Sequence, residues 1–136
     1  MHCYGEGPAN AQVMIIGEAP GEQETFSGRP FIGYSGKELT AMLHEAGLIR
    51  RDCFCTNVLK RPPFDDDIDH MFCSSKKEAE DNFVEKRHGL YPIPELMNDV
   101  FDTYCEVDSV QPNLIIACGE LALWALTGKS GIMNWR

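Results

Sequence analysis

The sequence has no apolar run long enough to cross a bilayer. Its longest, "VMIIG" at 13–17 and "LIIAC" at 114–118, fall far short of the roughly 20 residues a spanning helix needs. No basic segment followed by an apolar one opens the chain either. Together these absences give the expectation of a cytoplasmic protein with no membrane partner. Positive charge is scarce: 12 Lys and Arg face 21 Asp and Glu, for a net charge of -9 and a pI near 4.8. Coating nucleic acid by bulk attraction is thereby disfavoured, since such binding grows with the number of phosphates neutralised. Internal repeats are missing, and 43% hydrophobic with 24% charged residues is a globular composition that excludes disorder. At 136 residues the chain is expected to form one domain around one core.

Six cysteines occur, at 3, 53, 55, 73, 105 and 118. Without a secretory leader they read as free thiols rather than a disulfide framework. Cys53/Cys55 and His70/Cys73 have short spacings, but no paired zinc motif forms, and no metal is expected.

Apolar "VMII" at 13–16, ended by Gly17, has the pattern of a central strand buried on both faces. Ser35-x-x-Glu38 has the form of a capping box. Leu39, Met42, Leu43 and Ala46 then fall on one helical face, closed by Gly47. "CFCTNVL" at 53–59 reads as a second strand, stopped by Pro62-Pro63. A short helix near 76–86, a turn around Gly89 and a longer helix from Glu95 to about Val107 follow. "NLIIAC" at 113–118 gives a third buried strand, and "ELALWALTG" a last helix closed by Gly128. Alternation of strands and helices predicts a three-layer αβα sandwich with a short, mostly parallel central sheet. Sites in such sheets lie at the carboxyl ends of the strands, where the loops from Gly17, Asn57 and Gly119 begin.

Two tempting motifs fail. "GEAPGEQ" at 17–23 is not G-x-G-x-x-G, carries acids where a pyrophosphate needs bare amides, and is not expected to lead straight into a helix. "TGKS" at 127–130 resembles the tail of a P-loop, yet Leu123 stands where its first glycine belongs and a helix precedes it. What remains is a carboxylate-bearing loop beside Phe31 and Asn57. An Asn at a strand end offers a donor and an acceptor suited to a base edge, and a phenyl face suits stacking. A buried core Phe and a turn-capping Asn fit the same pattern.

"GEAPGEQE", "GRPFIGYSGKELTAMLHEAGL" and "TNVLKRPP" together resemble the uracil-DNA glycosylase superfamily, most nearly its family 4 type and phage-encoded relatives. The resemblance runs from Val13 to Pro63 and resumes more weakly over 112–128. It implies excision of uracil from DNA to leave an abasic site, with uracil-containing DNA as partner and free uracil as product. A phage-encoded member would act in the host cytoplasm. By position, Glu18 would activate water or steady the sugar cation, and Glu24 would crowd the C5 position against thymine. Phe31 would stack on uracil and Asn57 would read its polar edge. Gly17, Ala19, Pro20 and Gly21 would shape the substrate-binding loop. Arg29, Lys60 and Arg61 are the cations expected against DNA phosphates. A non-catalytic DNA-binding or accessory member of the superfamily is the alternative.

Two departures accompany the resemblance. Family 4 carries a four-cysteine iron-sulfur cluster, with one ligand in the stretch matching "KRPP", yet here Lys60 leads directly to Arg61. Only Cys3 stands near the start, and Cys73 alone could correspond to the last ligand. No cluster is expected. The family's histidine motif follows its last strand, and the sequence ends at Arg136 before any such motif; the expectation is a single domain truncated ahead of it.

Overall fold

An uninterrupted apolar strand is stable only if both faces are covered, and Met14, Ile15 and Ile16 are all fully buried. The computed structural model describes residues 2–73 and 90–129. In chain order the elements are β1 (Val13–Gly17), α1 (Glu22–Ser27), α2 (Tyr34–Glu45), β2 (Phe54–Asn57), β3 (Phe72–Cys73), β4 (Tyr91–Pro92), α3 (Pro94–Val110), β5 (Leu114–Ala117) and α4 (Glu120–Thr127). Strand β1 is central, with β2 and β5 pairing parallel on either side. On one face Met14 and Ile16 pack with Leu96, Met97 and Val100 of α3 and Leu121 and Trp124 of α4. On the other, Ile15 packs with Leu43 and Leu39 of α2. Helices on both faces make the three-layer sandwich expected from the sequence. Each fully buried aliphatic side chain of β1 contributes roughly 1.5–3 kcal/mol. Among the described residues no helix is long and apolar enough to cross a membrane.

The structure departs from several local expectations. The loop after β1 does enter a helix: α1 starts at Glu22, with the Thr25 hydroxyl donating to Gly21 O at 2.7 Å. Glu22 and Glu24 occupy its first turn, where negative charge favours the helix dipole. The capping box is not used. Helix α2 begins at Tyr34 behind Gly33, with no side-chain cap, so Ser35 already lies inside the first turn. An antiparallel pair, β3 with β4, was not legible in the sequence. Helix α3 starts one residue earlier than expected, with Pro94 in its first turn, and runs on to Val110. The helix expected near 76–86 and the turn at Gly89 lie outside the described residues.

Cys55 of β2 is buried beside Ile15. Burial pushes its thiol from an ordinary 9.0 up to about 11, against the opposing pull of the Arg50 cation. The fold therefore favours the neutral thiol. That contribution is complete below the unfolded thiol's pKa and is lost as pH rises through about 11. Urea-unfolding midpoints are expected to fall between pH 9 and 11, and Cys55→Val, which cannot ionise, should show a shallower fall. Equal slopes for the two proteins would contradict this placement.

Candidate active site

The site forms where β1 and β2 end side by side. Parallel register sets Gly17 opposite Asn57. A Cβ at Gly17 would lie 2.5 Å from Asn57 Oδ1 and 2.6 Å from Phe31 Cζ. Only a residue without a side chain lets Phe31 and Asn57 close over this point. Pairing continues past the strands, with Val58 N–H donating to Gly17 O and Leu59 N–H to Glu18 O, both at 2.9 Å.

Asn57 is 3% exposed. Among the described residues nothing hydrogen-bonds its side-chain amide, which leaves a donor and an acceptor available at the strand end. Phe31 is half-buried against the Ile15 and Leu43 group. Its backbone is left-handed at φ 55°, a conformation costing about 1–3 kcal/mol and found where surroundings over-determine it. Gly36 of α2 makes room for it, since a Cβ there would fall 2.0 Å from Phe31 O.

Glu18 follows Gly17 and is held against α4. Its Oε2 accepts from Leu121 N–H at 2.9 Å, at the positive end of that helix. Gly119, at φ 96°, allows the approach: a Cβ there would lie 2.7 Å from Glu18 Cδ. Among the described residues Oε1 accepts no hydrogen bond. The structure thus joins Phe31 and Asn57 around Gly17 and fixes Glu18 one residue further on. Glu24, on α1, directs a carboxylate oxygen to Gly33 N at 3.4 Å, with Gly21 on its other side, and so ties the two ends of the loop together. Ala19 packs on the core and Pro20 is buried.

The expected cations divide. Arg61 is exposed. Arg29 is exposed but bonds both carboxylate oxygens of Glu6 at 3.0 Å. Lys60 is a correction: it is fully buried and cannot meet a phosphate. Its Nζ donates to Thr56 Oγ1 at 3.0 Å, Asn57 O at 2.5 Å, Thr103 Oγ1 at 3.0 Å and Glu106 Oε1 at 2.5 Å. Its backbone N–H donates to Asp99 Oδ2 at 2.9 Å. A buried ammonium is tolerable with an anionic partner and its remaining protons bonded. Lys60 thereby ties the end of β2, including Asn57, to α3. Sequence reading missed this role, and also missed Arg50 and Glu106. No local pattern marked Lys60 or Glu106; Gly36, in the first turn of α2, signals only the close approach of the Phe31 backbone.

At the same sheet edge, a hollow of about 460 Å³ is lined by Glu22, Thr25, Phe26, Pro62 and Asp66. A hollow of similar size, about 460 Å³, contains Ala11, Val13, Leu48 and Cys53 at the opposite end of the strands. The Asn57 amide, without a hydrogen bond among the described residues, lies at the Gly17 edge, and chemistry rather than volume selects it.

The family model described as the uracil DNA glycosylase superfamily matches residues 4–134. The chain belongs to that superfamily. It is similar to the type-4 uracil-DNA glycosylase of Archaeoglobus fulgidus, with 35% identity over 119 residues, covering 87% of this chain and 48% of the relative. Similarity to the type-4 enzymes of Saccharolobus solfataricus (54%) and Sulfurisphaera tokodaii (56%) extends over 61 residues, 43% of this chain and 28% of each relative. The chain spans about half or less of the length of these relatives.

The iron-sulfur cluster implied by the type-4 resemblance meets a poor donor set in this glycosylase-family chain. Cys3 is enclosed, and burial, with Glu24 and Glu6 adding to it, pushes its thiol up, away from the thiolate a cluster needs. The stretch from Lys60 has no thiol and is organised by the lysine network instead. Among the described residues no three His, Cys, Asp or Glu side chains group to hold a metal ion. Among the described residues the thiols do not group into a four-cysteine donor set.

Gly17→Ala forces a methyl against Asn57 and the Phe31 ring. It is expected to destabilise by about 1–3 kcal/mol in chemical denaturation. Unchanged stability would mean that the two side chains are free to part.

Proposed function

We propose that the whole protein removes uracil from DNA by hydrolysing its N-glycosidic bond. The observation that carries this reading is the convergence of Phe31 and Asn57 on Gly17, with a carboxylate at the next residue. A planar apolar face and an amide with both hydrogen-bond senses describe a slot for a single pyrimidine. Flipping the nucleotide costs a few kcal/mol, and stacking on one aromatic ring returns roughly 1–3 kcal/mol.

As the bond from N1 to C1′ breaks, its electrons leave with the base and the sugar gains oxocarbenium character. Water then bonds to C1′ and loses a proton, and the base anion takes one up. Glu18 suits this step because Leu121 N–H holds one carboxylate oxygen while the other is left to face the cation or the water. Asn57 orients the base, and the Lys60 bond to its carbonyl limits its movement. Glu24, held at Gly33, is assigned to crowding the C5 position. Arg61 is assigned to the DNA backbone, and Arg29 joins it where a phosphate replaces Glu6. The chain is further proposed to work without the cluster, with the Lys60, Asp99 and Glu106 network tying the end of β2 and Lys60 to α3.

Incubation with a uracil-containing oligonucleotide followed by alkali is expected to give strand scission. Glu18→Ala should reduce it by roughly 100-fold or more, and Asn57→Asp should extend action toward cytosine, whose edge exchanges an acceptor for a donor. Oligonucleotide binding without scission, unaffected by Glu18→Ala, would assign the protein a non-catalytic role.

A further inference from the structure

Arg50 stands in a short turn before β2, yet its guanidinium lies across the loop that presents Phe31. Nη2 donates to Pro30 O at 2.6 Å, and Nη1 donates to Phe31 O and reaches Thr40 Oγ1 on α2 at 3.2 Å. Glu6 flanks the group at 3.9 Å while also holding Arg29, the residue before Pro30. One planar fork therefore bonds two successive carbonyls, a geometry that a point charge such as an ammonium does not reproduce.

Those carbonyls bracket Phe31, whose backbone is left-handed at φ 55°. A left-handed Phe crowds its own Cβ against the following carbonyl and is unusual for a bulky side chain. Gly36 supplies the space for it and Arg50 supplies the bonds. The ring this conformation aims touches Gly17 beside Asn57. We infer that Arg50 is a positioning residue: by gripping the Pro30 and Phe31 carbonyls it keeps Phe31 left-handed and so sets the face on which a base stacks. The effect on ligand rests on the uracil reading, whereas the effect on Phe31 stands without it.

The test compares wild type, Arg50→Ala, Arg50→Lys, Phe31→Ala and the Arg50→Ala/Phe31→Ala double variant. Backbone NMR shifts and the amide to Hα coupling of Phe31 report its conformation, and titration with free uracil reports the pocket. Arg50→Ala is expected to move Phe31 out of the left-handed region while the amides of Ile15 and Leu43 keep their shifts. Uracil affinity should fall roughly tenfold, the scale of one stacking contact, and no further in the double variant than in Phe31→Ala. Arg50→Lys should behave as Arg50→Ala does, and it gives the same readouts if the alanine variant does not fold. Phe31 remaining left-handed in both Arg50 variants would overturn the inference, as would losses that multiply in the double variant. If wild type fails to bind uracil while Phe31 still moves, the positioning role stands and the uracil reading falls.

Discussion

The pairing of Gly17 with Asn57 is the contact on which the rest of the site depends. Parallel register places the two residues side by side at the carboxyl edge of the sheet, and the missing side chain at 17 leaves a gap that Phe31 and Asn57 close. A slip of one residue would turn the Asn57 side chain to the other face of the sheet. Burial of Met14, Ile15 and Ile16 on alternate faces prevents that slip. Core packing and site geometry are thus one constraint: the apolar contacts that hold β1 between two helical layers also fix Asn57 beside Gly17.

Charge is handled in the same local way. The chain is strongly acidic, and several of its few cations face inward or pair internally. Lys60 is buried among Thr56, Thr103 and Glu106, Arg50 bonds the Phe31 loop, and Arg29 bonds Glu6. Lys60 and Arg50 order the backbone around the Gly17 edge, while Arg29 is engaged by the Glu6 carboxylate. The proposed function, gripping one base rather than coating a strand, accords with this, because the non-specific, salt-dependent part of DNA affinity requires free cations.

Much of this was legible in the sequence because it rests on local pattern. An apolar run ended by glycine, a helical stripe from Leu39 to Ala46 and a proline at a helix start each specify an element through nearest-neighbour chemistry. Residues 18, 31 and 57 were named by combining strand ends with a family resemblance, and the structure brings 31 and 57 together over Gly17. Long-range partnership stayed hidden. Lys60 looks like any surface lysine beside Arg61 until Glu106, far along the chain, is seen to cover it. Arg50 likewise gains its role only when α2 folds Pro30 and Phe31 against it. Helix α1 was obscured by a loop rich in glycine and proline, and the capping box was pre-empted because Phe31 packs on Gly36 and the helix starts early.

The most direct measurement is a crystal structure of the protein soaked with free uracil. The ring is expected to stack on Phe31, with the Asn57 amide in hydrogen-bonding range of its edge and Glu18 still bonded to Leu121 N–H. Uracil bound in another hollow, or density showing Phe31 and Asn57 apart with an ordered side chain between them, would contradict it.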